Sequence, residues 1–148
     1  ITLRYRGGKG PFERSKILVG NEIIGKWKII ISYLTAEHAG QPDKNGQFRV
    51  LSTMEEMEPG EVCTETYLVA GAFDTKVEAD NYMAYLKTKF VRFLLQQIAI
   101  TQHISRSTFR YIPVQDFKEH WTDEKLYAKY KLTSEEVNFI EKMIKEMK

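Results

Sequence analysis

The spacing of apolar positions changes along the chain from a strand period to a helix period, and the change falls near residue 75. Lys26-Trp27-Lys28-Ile29-Ile30-Ile31-Ser32-Tyr33 is rich in β-branched and aromatic residues and predicts a strand. Asp43-Lys44-Asn45-Gly46 follows as a turn, because Asn-Gly tolerates the positive φ of a tight hairpin, and Gln47-Phe48-Arg49-Val50-Leu51 is expected to continue into strand. Pro59-Gly60 marks another turn, and the β-forming run from Val62 to Ala70 is long enough for a core strand.

Thr75, with Glu78 three residues later, carries the signature of a capping box. Beyond it Tyr82, Leu86, Phe90, Phe93 or Leu94, and Ile98 recur at three-to-four-residue spacing, which predicts one helix from about Lys76 to about Ala99. The polar stretch from Thr101 to Thr108 reads as a connector, and Phe109-Arg110-Tyr111-Ile112-Pro113-Val114 as a short strand kept at an edge by Pro113. One short helix is expected near Thr122-Asp123. Another follows the Thr133/Glu136 capping box, with Val137, Ile140, Met143 and Ile144 on one face. The expected fold class is α+β: a small, mainly antiparallel sheet flanked by one long helix and short C-terminal helices.

Composition narrows the class without changing that outline. A chain of 148 residues, 43% hydrophobic and 28% charged, suits a single domain spanning 1–148, and no repeat or low-complexity boundary divides it. Its longest apolar runs, such as Ile29-Ile30-Ile31, fall far short of a membrane span of roughly 18 residues, so no membrane partner is expected. A lone cysteine, Cys63, favours a cytoplasmic setting. The chain begins at Ile1 and reads as a piece excised from a larger protein.

Charge is balanced in total, at +2, but not along the chain. Residues 1–33 carry seven cations against two acids, and residues 34–80 carry three against ten. Residues 81–115 contain no acid at all, while Lys87, Lys89, Arg92, Arg106 and Arg110 lie among amides, hydroxyls and His103. That mixture suits a surface following a phosphate backbone, with cations fixing the register and polar side chains reaching base edges. Lys89, Arg92 and Gln96, at helical spacing, would share one face.

Other chemistry is less well supported. Gly7-Gly8-Lys9-Gly10 lacks phosphate-loop spacing and reads as a flexible basic turn. His38, His103 and His120 have no partner at zinc-ligand spacing, and Cys63 reads as a small buried thiol. Asp43, followed by Asp74-Thr75-Lys76, formally matches the acid and acid-x-Lys arrangement of Mg²⁺-dependent nucleases, although an Asn-Gly turn and a helix cap explain the two acids better. No Asn-Pro-Pro-Tyr-like loop for gripping a flipped adenine is present, so no catalytic residue is assigned to this chain alone.

The run from Val62 to Asp74, then Tyr85–Leu94, Ile100–Arg106, Tyr111–Phe117, Trp121–Tyr127 and Leu132–Glu136 together resemble the C-terminal region of bacterial type II restriction-modification proteins, the adenine-specific DNA methyltransferases and their associated endonucleases. The resemblance spans about residues 15–147. It implies a non-catalytic target-recognition domain downstream of a methyltransferase core that uses S-adenosylmethionine, with Mg²⁺ serving any cleavage by the parent. The chain itself would need no cofactor. Its expected partners are double-stranded DNA and that core, and its expected DNA-binding residues are Lys87, Lys89, Arg92, Gln96, Gln102, His103, Ser105, Arg106 and Arg110. Two rival expectations are a Mg²⁺-dependent nuclease domain using Asp43, Asp74 and Lys76, and an assembly module docking through Trp27, Tyr85 and the C-terminal helix.

Overall fold

A computed structural model describes residues 1–32, 42–48, 50, 51, 53–101 and 106–147, without the side chains of 99–101 and 106–108. The fold is α+β, as the residue pattern predicts, but the strands form two three-stranded sheets instead of one. β1 (Thr2–Tyr5), β2 (Gly8–Pro11) and β5 (Glu61–Cys63) make the first, in the order β2-β1-β5. β3 (Trp27–Ser32), β4 (Met54–Met57) and β6 (Tyr67–Phe73) make the second, in the order β4-β3-β6. All pairings are antiparallel except β1 with β5.

Three strand expectations are corrected. Gly8-Lys9-Gly10 is not a free turn: it pairs with Leu3-Arg4-Tyr5, and the reversal is made by Arg6 and Gly7, where Gly7 adopts the left-handed φ of +93°. The Val62–Ala70 run is not one strand, because Thr64-Glu65-Thr66 turns the chain between the two sheets, closed by the Tyr67 N–H donating to Thr64 O at 3.1 Å. Among the described residues of the 47–51 segment, only Phe48 bridges, to Pro42 and Ile144, and Val50 adopts a left-handed φ of +65°. The strand that pairs with β3 there is the Glu-rich Met54–Met57, whose β structure comes from its ladder and not from its propensity.

The helical half contains α1 (Lys76–Lys87), α2 (Lys89–Thr101), α3 (Asp123–Lys129) and α4 (Ser134–Met143). The single long helix of the periodicity is therefore broken at Thr88, whose ψ of 152° is extended. Thr88 stabilises the break by donating its hydroxyl to Tyr85 O (2.6 Å) and accepting the Val91 N–H (3.3 Å). The apolar spacing survives the break because both helices bury their stripe in one core containing Ile29, Ile31, Leu68, Tyr82, Leu86, Phe90 and Leu95. The Phe109–Val114 segment is not a strand: a 3-10 helix spans Arg106–Tyr111, and Tyr85 donates its hydroxyl to Pro113 O at 2.7 Å.

Both expected threonine N-caps form, the second as a full capping box and the first without the reciprocal bond. Thr75 accepts the Glu78 N–H, and Thr133 and Glu136 make a reciprocal capping box at the start of α4. On α4 the predicted face turns inward, with Ile140 and Ile144 buried and Val137 and Met143 half-buried.

Candidate nucleic-acid interface

The acid-free tract does not form an uninterrupted cationic face. Arg92 is 1% exposed and lies inside the molecule, with Nε donating to Lys87 O at 3.0 Å and Nη1 to Lys145 O at 2.5 Å. Burial pulls its pKa down to about 10, against the opposing charge of Asp123. Gln96 is equally buried and accepts the amide of Gln97. Lys89 forms an ion pair with Glu141, whose other oxygen accepts the Tyr127 hydroxyl at 3.0 Å. The expected face made by Lys89, Arg92 and Gln96 thus turns into the protein, because α2 packs there against α3, α4 and the segment after α4.

Of the remaining expected residues, the side chains of Lys87 and Arg110 are described. Lys87 is half-buried and lines a cleft of about 390 Å³ that also contains Lys89, Arg92, His120, Trp121, Asp123 and Glu141. Cations and acids mix in that cleft, so it is not a simple phosphate-binding surface. Gln102, His103 and Ser105 lie outside the described residues, as does the side chain of Arg106. Arg110 is exposed on the 3-10 helix that follows them.

Arg110 is joined by a residue that charge counting passed over. Its guanidinium lies 5.2 Å from the centroid of the Tyr111 ring and donates to the Tyr111 hydroxyl at 3.2 Å. Tyr111 is 58% exposed, and Val114 beyond it 87%. Ile112, between them, is buried, which holds the pair on the outside of a fixed turn. An exposed Arg–aromatic pair of this kind offers a flat surface for a base or sugar and a charge for a phosphate. Nearby, Gln115 donates to Tyr130 and accepts from Lys129, and Lys125 and Lys129 both lie over the Trp121 ring. The aromatic content of 106–130 was visible in the sequence; its exposure was not.

The three residues of the nuclease expectation are each engaged in other contacts. Asp43 holds the Asn45 and Gln47 N–H groups and pairs with Lys145, so its carboxyl lies below the ordinary value, chiefly through those backbone bonds. Asp74 pairs with Lys26, and Lys76 bridges Glu56 and Asp80 beneath the Trp27 ring. Among the described residues, no group of three or more His, Cys, Asp or Glu side chains is placed to hold a metal ion. Tyr85, expected at a docking surface, is fully buried.

A cavity of about 970 Å³ opens between the two sheets and the turns around Ile17–Ile24. Lys28 lies in its wall, 1% exposed, with its ammonium donating to the carbonyls of Ile23, Ile24, Lys26 and Glu58. Burial lowers the Lys28 pKa and raises that of the half-buried Cys63 thiol. Glu61 closes one side, paired with Arg4 and Lys9. Lys28 has the character of a clamp on its own loop, with every ammonium proton directed at carbonyl oxygens.

In comparisons with known proteins, no family model, no curated protein and no solved structure matches the chain. No helix among the described residues is long and apolar enough to cross a membrane.

Proposed function

We propose that this chain is a DNA-binding target-recognition domain of a restriction-modification enzyme and that its DNA contact is centred on the segment from Gln102 to Tyr111. The observation that carries the reading is the exposed Arg110–Tyr111 cation–π pair, which follows Gln102, His103, Ser105 and Arg106 in the sequence. Arg106 and Arg110 would meet phosphate or guanine, and the amide, imidazole and hydroxyl groups would face base edges. Lys87, at the rim of its cleft, is the one cation of the helical tract that this reading retains as a contact. Lys89, Arg92 and Gln96 support the scaffold. Methyl transfer or cleavage belongs to a core domain that binds S-adenosylmethionine or Mg²⁺.

Fluorescence anisotropy with a labelled duplex pool, titrated across salt, tests the reading. The expected result is binding that weakens steeply as salt rises, and a further loss on Arg110→Glu. Tyr111→Ala is expected to weaken binding by about 1–3 kcal/mol while leaving the salt slope unchanged, as for a stacking contact. Absence of binding at low salt, or binding indifferent to both changes, would overturn it.

A further inference from the structure

α4 presents two faces, one buried in the core and one exposed. Ile140 and Ile144 point into the core. On the opposite side Glu135, Asn138, Phe139 and Lys142 follow at i, i+3, i+4 and i+7, all exposed. Phe139 is 54% exposed, although its ring meets Phe93 edge-on at 5.9 Å. It borders an apolar groove of about 400 Å³ between α2 and α4, lined by Phe90, Phe93, Leu94 and Leu132, with Glu135 and Glu136 at the rim. Among the described residues, neither Glu135 nor Lys142 has an ion-pair partner.

The pattern is its own complement. When two copies of α4 run antiparallel about a two-fold axis passing between positions 138 and 139, Glu135 of each copy falls opposite Lys142 of the other. The two Phe139 rings meet beside the axis, over the grooves. A two-fold interface requires this reciprocity, in which residue i meets j and j meets i. We infer that the exposed α4 face is the dimerisation surface of this chain, with a second copy of the same chain as its occupant. A basic helix from another protein would match the rim glutamates but would leave Lys142 facing a like charge. One helix face and a groove make a small interface, so the dimer is weak and reversible.

Sedimentation analysis of the full chain over a range of concentrations tests the inference. The wild type is expected to show a reversible monomer–dimer equilibrium. Phe139→Glu should weaken it by at least about tenfold, the least expected of a central aromatic anchor. Lys142→Glu should weaken it too, and the double variant Glu135→Lys with Lys142→Glu should regain most of the loss, because swapping both signs restores both cross-pairs. All three positions are exposed, so far-UV circular dichroism should be unchanged and any loss is attributable to the interface. A wild type that stays monomeric, a dimer indifferent to Phe139→Glu, or a double variant no better than Lys142→Glu would each overturn the inference. None of these outcomes bears on DNA binding.

Discussion

The carboxylate of Asp123 accepts the backbone N–H of Phe90 at 2.9 Å, across 33 residues of sequence, and with its other oxygen takes the N–H of Lys89 at 3.2 Å. Asp123 is the first residue of α3, so one helix start caps another. The break at Thr88 depends on it, because breaking a helix there frees N–H groups that need acceptors. The same carboxylate faces the buried Arg92 charge. Asp123, Thr88 and Arg92 therefore meet at the break between α1 and α2.

Asp123→Ala should remove the cap and destabilise the protein by about 0.5–2 kcal/mol, the usual range for a lost N-cap acceptor. Asp123→Asn keeps one oxygen acceptor and should cost less. Urea unfolding of both variants checks the order; equal effects would show that the carboxylate charge, and not its acceptor role, is what counts.

Arg92 offers a sharper discrimination. If the side chain were an exposed phosphate contact, Arg92→Glu would fold normally and lose only DNA affinity. Buried as it is, with Asp123 nearby, the substitution places a second carboxylate in the interior and leaves the Lys87 and Lys145 carbonyls without their donor. A loss of about 3–5 kcal/mol is expected, the range for breaking a buried charged contact. Thermal or denaturant unfolding in the absence of DNA reads it directly.

Gly71 is required by a close approach. A Cβ there would lie 2.7 Å from Cε1 of Tyr82, whose hydroxyl is fixed on Ala70 O at 2.9 Å, so the ring cannot easily retreat. Gly71→Ala should therefore cost about 1–3 kcal/mol by overpacking, in contrast to the small effect expected where a glycine faces open space. At Gly10 no atom lies within 4 Å of the added Cβ, and Gly10→Ala serves as the control.

Glu61 supplies a pH dependence. Burial pushes its carboxyl up, but Lys9, the Glu58 N–H and Arg4 together outweigh burial and hold its pKa below the ordinary 4.5. A carboxyl with a depressed folded-state pKa stabilises fully above its unfolded value, and that contribution is lost as pH falls through the folded value. The link between the first hairpin and β5 should thus weaken in acid, below about pH 4.5. Glu61→Gln should lower stability near neutrality and flatten the acid limb of the stability–pH curve. An acid limb of wild-type steepness in the variant would assign it to other carboxylates.

The α+β class, the β3 strand, the two Thr caps and the inward face of α4 were legible in the sequence because each is set by local chemistry: period, capping oxygen or turn residue. The division of Val62–Phe73 between two sheets, the 3-10 turn at Arg106–Tyr111 and the break at Thr88 were not, because a strand or helix former only states a preference, and ladders and caps contributed by distant segments decide among the choices. The site divides along the same line. The absence of acids from 81–115 is a true property of the sequence, yet Glu141 and Asp123 arrive from beyond residue 115 to meet Lys89 and Arg92. Charge along a chain is one-dimensional, whereas an electrostatic surface is formed only after distant segments have packed. Arg110 and Tyr111 emerge as a candidate contact for that reason alone: folding buried their neighbour Ile112 and left them outside.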